Sequence, residues 1–160
     1  MIVEFGKGTQ AFRDGKTFLV DDDVKLDGYS FCLDTNGYVM FSSCKDGLNT
    51  KYLHRWLMGF PEGSDIDHKN NDKLDNRRCN LRLCSKQQNQ FNTKKRSDNT
   101  SGYKGVSFHT QNNNYVAKIS INGKSKHIGC FTTAQEAHEA YCEKAKELHG
   151  EFFNSGRKVA

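Results

Sequence analysis

Residues 93–101 read TKKRSDNTS and contain no apolar side chain. A segment that can bury nothing cannot run through a core, so it divides the chain into units that fold around separate cores. Only 35% of the 160 residues are hydrophobic and the mean hydropathy is −0.82. That composition suits two small polar units better than one large globule. The boundaries that follow are a first unit over 1–93, a basic connection over 94–100, a second unit over 101–154 and a tail over 155–160. No apolar run reaches the roughly 18 residues of a membrane-spanning helix, and the opening MIVEFGKGTQ lacks a signal-peptide pattern. The expectation is a soluble, intracellular protein without a membrane partner.

The first unit opens with strand-like runs, TFLV, YSFCL and YVMFSS, separated by turns. Asn36-Gly37 between the last two predicts a hairpin, because both residues tolerate positive φ. Residues 53–58 have helical character, stopped by Gly59 and Pro61. A small β-rich platform is expected here.

Asp67 and His68 then stand side by side, followed by Asn80 and Asn89 in the spacing D-H-x11-N-x8-N. Ile66 belongs to a strand, the run LDNRRCN is too polar for regular structure, and Leu81-Arg82-Leu83 alternates as a second strand. Ser85 with Gln88 predicts a capping box opening a helix on which Asn89 and Asn92 share a face. A neighbouring acid and imidazole, then two amides among arginines, suit metal-assisted cutting of a phosphodiester. That reaction needs an activated water and a charge clamp on the phosphate and leaving oxygen. Imidazole titrates near working pH, so His68 is the candidate general base. Asp67 would point to the other face of a regular strand, and local twist has to bring its carboxylate beside the base. Asn89 offers a neutral oxygen from the helix. Such hard oxygen donors favour Mg²⁺ or Mn²⁺. Asn80 is placed to hold the far ring nitrogen of His68 and fix its tautomer. The competing reading is that these Asp and Asn residues only make turns and caps.

Charge is uneven along the chain, whose net value is +5. Between 77 and 96 lie Arg77, Arg78, Arg82, Lys86, Lys94, Lys95 and Arg96 with no acidic residue among them. Such a block beside a polar constellation favours a polyanion, and duplex DNA is the expected partner. The six aspartates between 14 and 34 argue against phosphate contact there. The six cysteines form no CxxC, and Cys79 and Cys84 lack a second pair, so structural zinc is not expected. The thiols are read as reduced and mostly buried.

Beyond the polar segment, three short strands are predicted near 105–109, 115–121 and 125–128, with Asn122-Gly123 as a hairpin turn. Thr133 and Glu136 form a capping box, and Ala137, Ala140, Tyr141, Lys144, Ala145 and Leu148 follow helical spacing.

Residues 53–92, with LHRWLMG, DIDHKNN, LDNRRCNLR and QQNQFN in order, resemble the HNH endonucleases of the ββα-metal class found among phage and intron homing enzymes. The resemblance implies Asp67 and Asn89 as metal ligands, His68 as general base and Asn80 as the residue orienting it, with one Mg²⁺ or Mn²⁺ per site. The last family position is His in some members and Asn in others; here it is Asn89, with Asn92 a substitute one turn on. His54 and Arg55 recur in the family's LHR block, as DNA contacts or as supports of the metal helix. Residues 101–154, with SGYKGVSFH, YVAKISINGK, HIGCFTTAQEAHEAYCEKAKELHGEF and Asn154, resemble the plant ethylene-response-factor (Apetala-type) DNA-binding domain. That resemblance implies a three-stranded sheet in the major groove with a helix behind it. Its groove-facing candidates are Ser107, His109, Lys118, Ser120, Ser125 and His127, beside Lys104. Plant members carry arginines and tryptophans at several of these places, so smaller groups here point to phosphate-dominated, sequence-tolerant binding.

The expected fold class is α+β: a β-rich HNH ββα-metal nuclease unit, its metal motif over 65–93, plus a small three-stranded antiparallel sheet with one packed helix. The implied function is metal-dependent hydrolysis of DNA phosphodiesters, by nicking or double-strand cleavage, in an enzyme of the homing type. The rivals are a non-catalytic, sequence-tolerant DNA-binding protein on a degenerate HNH fold, and an RNA-directed nuclease. Asp67, His68, Asn80 and Asn89 speak against the first rival, since a clamp needs none of them. Monomer and dimer remain equally open.

Overall fold

A computed structural model describes residues 1–43, 48–93 and 98–156. The chain forms two compact units, Met1–Ser85 and Lys86–Ala160. Each has its own hydrophobic cluster.

In the first unit, β1 (Ile2–Glu4) and β2 (Thr17–Leu19) pair antiparallel, with the short helix α1 (Gln10–Arg13) between them. A second sheet runs in the order β3 (Ser30–Leu33), β4 (Val39–Ser43), β5 (Leu48–Tyr52). The β3–β4 connection is the turn that Asn36-Gly37 predicts. The Asp34 carboxylate accepts from the Asn36 and Tyr38 N–H groups at 2.9 and 2.7 Å, while Gly37 takes a φ of 84°. The elements β1, α1 and β5 escape the sequence reading because three to five residues cannot display a period. Helix α2 (Leu53–Leu57) follows β5 and stops before Gly59, whose φ is 73°. The core is aromatic. Phe18 is fully buried and packs against Phe5 and Phe31 at 5.1 and 5.0 Å between ring centres. Each such pair adds about 0.5–1.5 kcal/mol beyond area burial.

The remaining strands of this unit, β6 (Asp65–His68) and β7 (Leu81–Cys84), form a separate antiparallel pair. The polar loop joining them is fastened to β2. Leu19 N–H donates to Leu74 O at 2.7 Å, and Asn76 N–H donates to Leu19 O at 2.8 Å.

The second unit begins with helix α3 (Lys86–Phe91) and continues as the three predicted strands, β8 (Val106–His109), β9 (Asn114–Ile121) and β10 (Lys124–Phe131). They form an antiparallel sheet in the order β10-β9-β8. Helix α4 (Ala134–His149) starts with the predicted capping box, Thr133 and Glu136 each bonding the other's backbone. Val106, Ala117 and Ile119 on one sheet face pack against Ala137, Tyr141 and Ala145 of α4. Gly105, at φ 77°, lets this happen: a Cβ there would fall inside the Tyr141 ring. Leu148 stays 38% exposed despite its helical spacing, and His138, only 2% exposed, lies on the buried face instead. The described cysteines are free thiols, but only Cys84 is fully buried; Cys79 and Cys130 are exposed, against expectation.

Candidate active site

Strand β6 delivers Asp67 and His68, both less than a tenth exposed. The register sets Asp67 directly opposite Arg82 on β7. Arg82 donates from Nε and Nη2 to the same Asp67 oxygen, Oδ2, at 2.9 and 2.7 Å. Arg82 is therefore the counter-charge of Asp67, not an outward phosphate contact. A buried pair of this kind is held only while both partners remain.

The His68 ring meets Asn76, which is fully buried, with Nε2 at 3.4 Å from Oδ1. The Asn76 amide is oriented by its other end, where Nδ2 donates to Lys73 O at 3.1 Å. An oxygen facing Nε2 favours the tautomer that carries its proton there, the one in which Nδ1 is the basic nitrogen. Burial pushes the His68 pKa down. The Asn76 bond and the carboxylates of Asp67, Asp72 and Asp75 only partly oppose that. A neutral imidazole near pH 7 is the form a general base needs.

Asn80 does not hold this ring. Its Oδ1 accepts from the Asn70 N–H at 3.1 Å and its Nδ2 donates to Asp75 O at 2.7 Å. It cross-links the two ends of the loop, and Asn76 takes the role expected of it. The sequence offers no signal to separate them, since both are asparagines in one apolar-poor run. The loop is otherwise a lattice of polar bonds. Asp75, 3% exposed, accepts from Arg77 through Nε and Nη2, both at 2.7 Å, and from Asn70 Nδ2 at 3.1 Å. The Arg77 guanidinium holds the Asp75 carboxyl below the usual carboxylate range. Arg78 bonds Asp21 and Asp23, at 3.2 and 2.7 Å. Thus Arg77, Arg78 and Arg82, all expected as phosphate contacts, are each ion-paired within this unit. The aspartate-rich front of the chain supplies two of the counter-charges.

His54 and Arg55 support rather than face outward. Arg55 braces the turn after α2, donating to Pro61 O at 2.8 Å and Ser64 O at 3.4 Å. His54, 8% exposed, stands edge-on to His68 at 5.4 Å and packs against Tyr38 and Tyr52. Burial, with the charges of His68 and Arg55, pulls its pKa down to about 4. Since the unfolded value lies higher, the fold's preference for neutral His54 stabilises fully above pH ~6.5 and is lost as pH falls toward ~4. Melts at pH 7 and pH 5 should show about 2 kcal/mol of stability lost over that interval from this group. His54→Leu should reduce the loss; an identical loss in the variant would assign the acid sensitivity elsewhere.

Among the described residues, no three His, Cys, Asp or Glu side chains gather where they could hold a metal ion. The donor chemistry still fits Mg²⁺ or Mn²⁺. Such ions keep several waters and take one or two protein oxygens plus phosphate oxygens, and Asp67 is a hard donor beside the base. Asn89 lies on α3 in the second unit, half-buried. Asn92 lies past the helix end, 2% exposed, where its O and Oδ1 accept from Asn154 Nδ2 at 3.1 and 3.0 Å. Its side-chain oxygen is thus engaged within the second unit.

In the second unit Ser107, His109, Lys118, Ser120, Ser125 and His127 are all exposed. The register sets Lys118 opposite His127 and Ser120 opposite Ser125. Strand alternation puts Lys118 and Ser120 on the face away from α4, since Ala117 and Ile119 pack against it. Lys104 is the exception to the expected set. Its ammonium donates to Phe91 O, Thr93 O and Asn154 O at 2.8, 2.7 and 3.0 Å, and burial pulls its pKa down to about 8. Three donors with three acceptors leave nothing for a phosphate. Lys94, Lys95 and Arg96 lie outside the described residues.

Among the described residues, no helix is long and apolar enough to cross a membrane. No solved structure matches the chain. Residues 51–91 match the HNH endonuclease family model, and that stretch contains Asp67, His68, Asn76, Asn80 and Asn89. The chain is 30% identical over 92 residues to Protein 3.8 of Escherichia phage T7, covering 58% of this chain and 75% of that one. It is 33% identical over 153 residues to the uncharacterized HNH endonuclease L560 of Acanthamoeba polyphaga mimivirus, covering 92% of this chain and 74% of the relative. With a buried Asp-His pair on a strand, a polar loop behind it and similarity of that extent, the chain belongs to the HNH endonuclease family.

Proposed function

We propose that the protein is a metal-dependent DNA endonuclease of the homing type that hydrolyses phosphodiester bonds, with its second unit acting as an Apetala-type DNA-binding module. The observation that carries the reading is the buried His68, neutral and oriented by Asn76, beside the Arg82-balanced carboxylate of Asp67. A plain DNA clamp has no use for a buried base held in one tautomer.

Asp67 and Asn89 would hold Mg²⁺ or Mn²⁺, which when bound supplies charge stabilisation to the scissile phosphate and the leaving 3′ oxygen. The chain's own contribution is positional. His68 accepts the proton of the attacking water at Nδ1, and Asn76 keeps Nε2 protonated and the ring fixed. Arg82 holds the Asp67 carboxylate in place, and Asn80 clamps the loop that carries Asn76. The exposed sheet face bearing Lys118, Ser120, Ser125 and His127 engages duplex DNA, largely through phosphates. The site of action would be the inside of an infected cell, in keeping with the viral origin of both relatives.

Supercoiled plasmid incubated with the protein and Mg²⁺ or EDTA tests this reading. Metal-dependent relaxation or linearisation is expected; a gel shift without cutting on any target would favour the non-catalytic binding protein. Equal cutting of RNA would move the substrate class.

Asn76 gives a sharper test of the base. Asn76→Asp places a carboxylate against the ring and favours its protonated form. The acid limb of the pH–rate profile should move up by about one unit, with the rate near pH 6 falling most. An unmoved limb in a variant that melts normally would take Asn76 out of the mechanism.

A further inference from the structure

A phosphodiester brought to His68 needs donors for its charge. The carboxylates of Asp67, Asp72 and Asp75 already act on the ring. Arg77, Arg78 and Arg82 are each closed on an aspartate, so they balance those carboxylates and their neighbours, not a phosphate. Donors for the substrate have to come from other residues around the ring.

The β3–β4 hairpin and the loop between β6 and β7 supply them. Tyr38 lies at the end of the hairpin turn, its N–H held on Asp34 Oδ1 at 2.7 Å. Its ring meets the rings of His68 and His54 at 5.9 and 5.2 Å between centres. The side chain is half-buried, and among the described residues its hydroxyl has no hydrogen-bond partner. Burial, then the charges of Asp34 and Asp67, pushes the phenol pKa up, which keeps the group a donor.

Lys73 stands over this ring, its ammonium 4.2 Å from the ring centre. One of its protons goes to Asn36 O at 2.8 Å, tying the loop to the hairpin turn. The carbonyl of the same residue accepts from Asn76 Nδ2, the amide whose oxygen faces His68. Lys73 has no carboxylate partner among the described residues, and an ammonium with three donors keeps two for a ligand. The cation is thus fixed by a carbonyl and an aromatic face without being neutralised. A brace between hairpin and loop needs neither an open phenol hydroxyl nor an unbalanced charge.

We propose that Tyr38 and Lys73 contact the substrate phosphate, the Tyr38 hydroxyl donating to a non-bridging oxygen and Lys73 supplying the positive charge beside it; this rests on the reading of His68 as the base of a nuclease. Both residues belong to the first unit, so the base and its phosphate contacts share one core.

The test uses the full chain with Tyr38→Phe and Lys73→Met. Plasmid cleavage in Mg²⁺, melting temperature, and affinity for a duplex oligonucleotide in EDTA over a range of salt are measured. Tyr38→Phe keeps the ring and removes one oxygen, so it should melt as the wild type does. Its cleavage rate should fall by about 10–100-fold, the loss of one hydrogen bond to a charged group. Lys73→Met should lower the slope of log affinity against log salt by about one, as removal of one phosphate contact does. Lys73→Gln keeps a donor for Asn36 O without the charge and serves where the methionine variant fails to fold. Wild-type cleavage in Tyr38→Phe would overturn the proposal. So would an unchanged salt slope in a folded Lys73 variant. His68→Ala separates the two levels. If cleavage depends on His68 and not on Tyr38, the nuclease reading stands and the proposal fails. If the wild type cuts nothing in any metal, the nuclease reading fails and takes the proposal with it.

Discussion

Replacing His68 by alanine is expected to slow plasmid cleavage by about 10²–10⁴-fold while DNA binding in EDTA stays close to wild type. The asymmetry follows from where the ring sits. His68 is 4% exposed and faces Asn76, His54 and Tyr38, so it contributes little surface to a bound duplex. In the proposed reaction its contribution is the basic nitrogen. The depressed pKa implies that the wild-type rate is already near its plateau at neutral pH and falls once acid protonates the ring. The alanine variant should therefore have lost that acid limb as well as its rate. Parallel loss of binding and cutting, with a lowered melting temperature, would instead make His68 a packing residue.

Arg82→Met is the second large effect. Arg82 and Asp67 are 11% and 6% exposed, and both bonds from the guanidinium converge on one carboxylate oxygen. Removing the cation leaves a buried carboxylate without its counter-charge, which typically costs about 3–5 kcal/mol. For a unit of this size each kcal/mol shifts the melting temperature by roughly 4–8 °C, so the variant should melt far below the wild type. Adding Asp67→Asn to Arg82→Met removes the uncompensated charge and should recover most of the stability without recovering cleavage. If the double variant melts as low as the single one, the loss comes from Arg82 packing and not from the pair. This also distinguishes Arg82 from a phosphate contact, whose removal would leave melting unchanged.

The parts of this molecule legible in its sequence are those whose physics is local. The Asn36-Gly37 turn, the Thr133 capping box, the stop at Gly59 and the alternation of β9 each follow from a few adjacent residues, and the structure has all of them. The Asp67-His68 pair was visible because the two residues are neighbours. Partnerships were not visible, because they join residues with no shared period. Arg78 finds Asp21 and Asp23 across more than fifty positions, and Lys104 reaches Asn154 across 50. Each of these cations reads, one residue at a time, as a free positive charge. The same limit explains the exchange of Asn76 for Asn80. Which asparagine turns inward depends on β2 bonding the loop at Leu74 and Asn76, and no feature of LDNRRCN announces that.

The pairing of Arg78 with two aspartates also bears on how the protein answers to salt. DNA binding weakens with ionic strength because each cation that docks on a phosphate expels a condensed counterion into bulk solution. Arg77, Arg78 and Arg82 enter any encounter with their neutralisation already complete, inside the fold. A phosphate reaching Arg78 would have to displace Asp21 and Asp23, leaving two carboxylates bare beside a polyanion, and no net release would follow. The first unit therefore contributes little to the slope of affinity against salt through these three arginines. What these three arginines would present to a polyanion is a set of closed ion pairs.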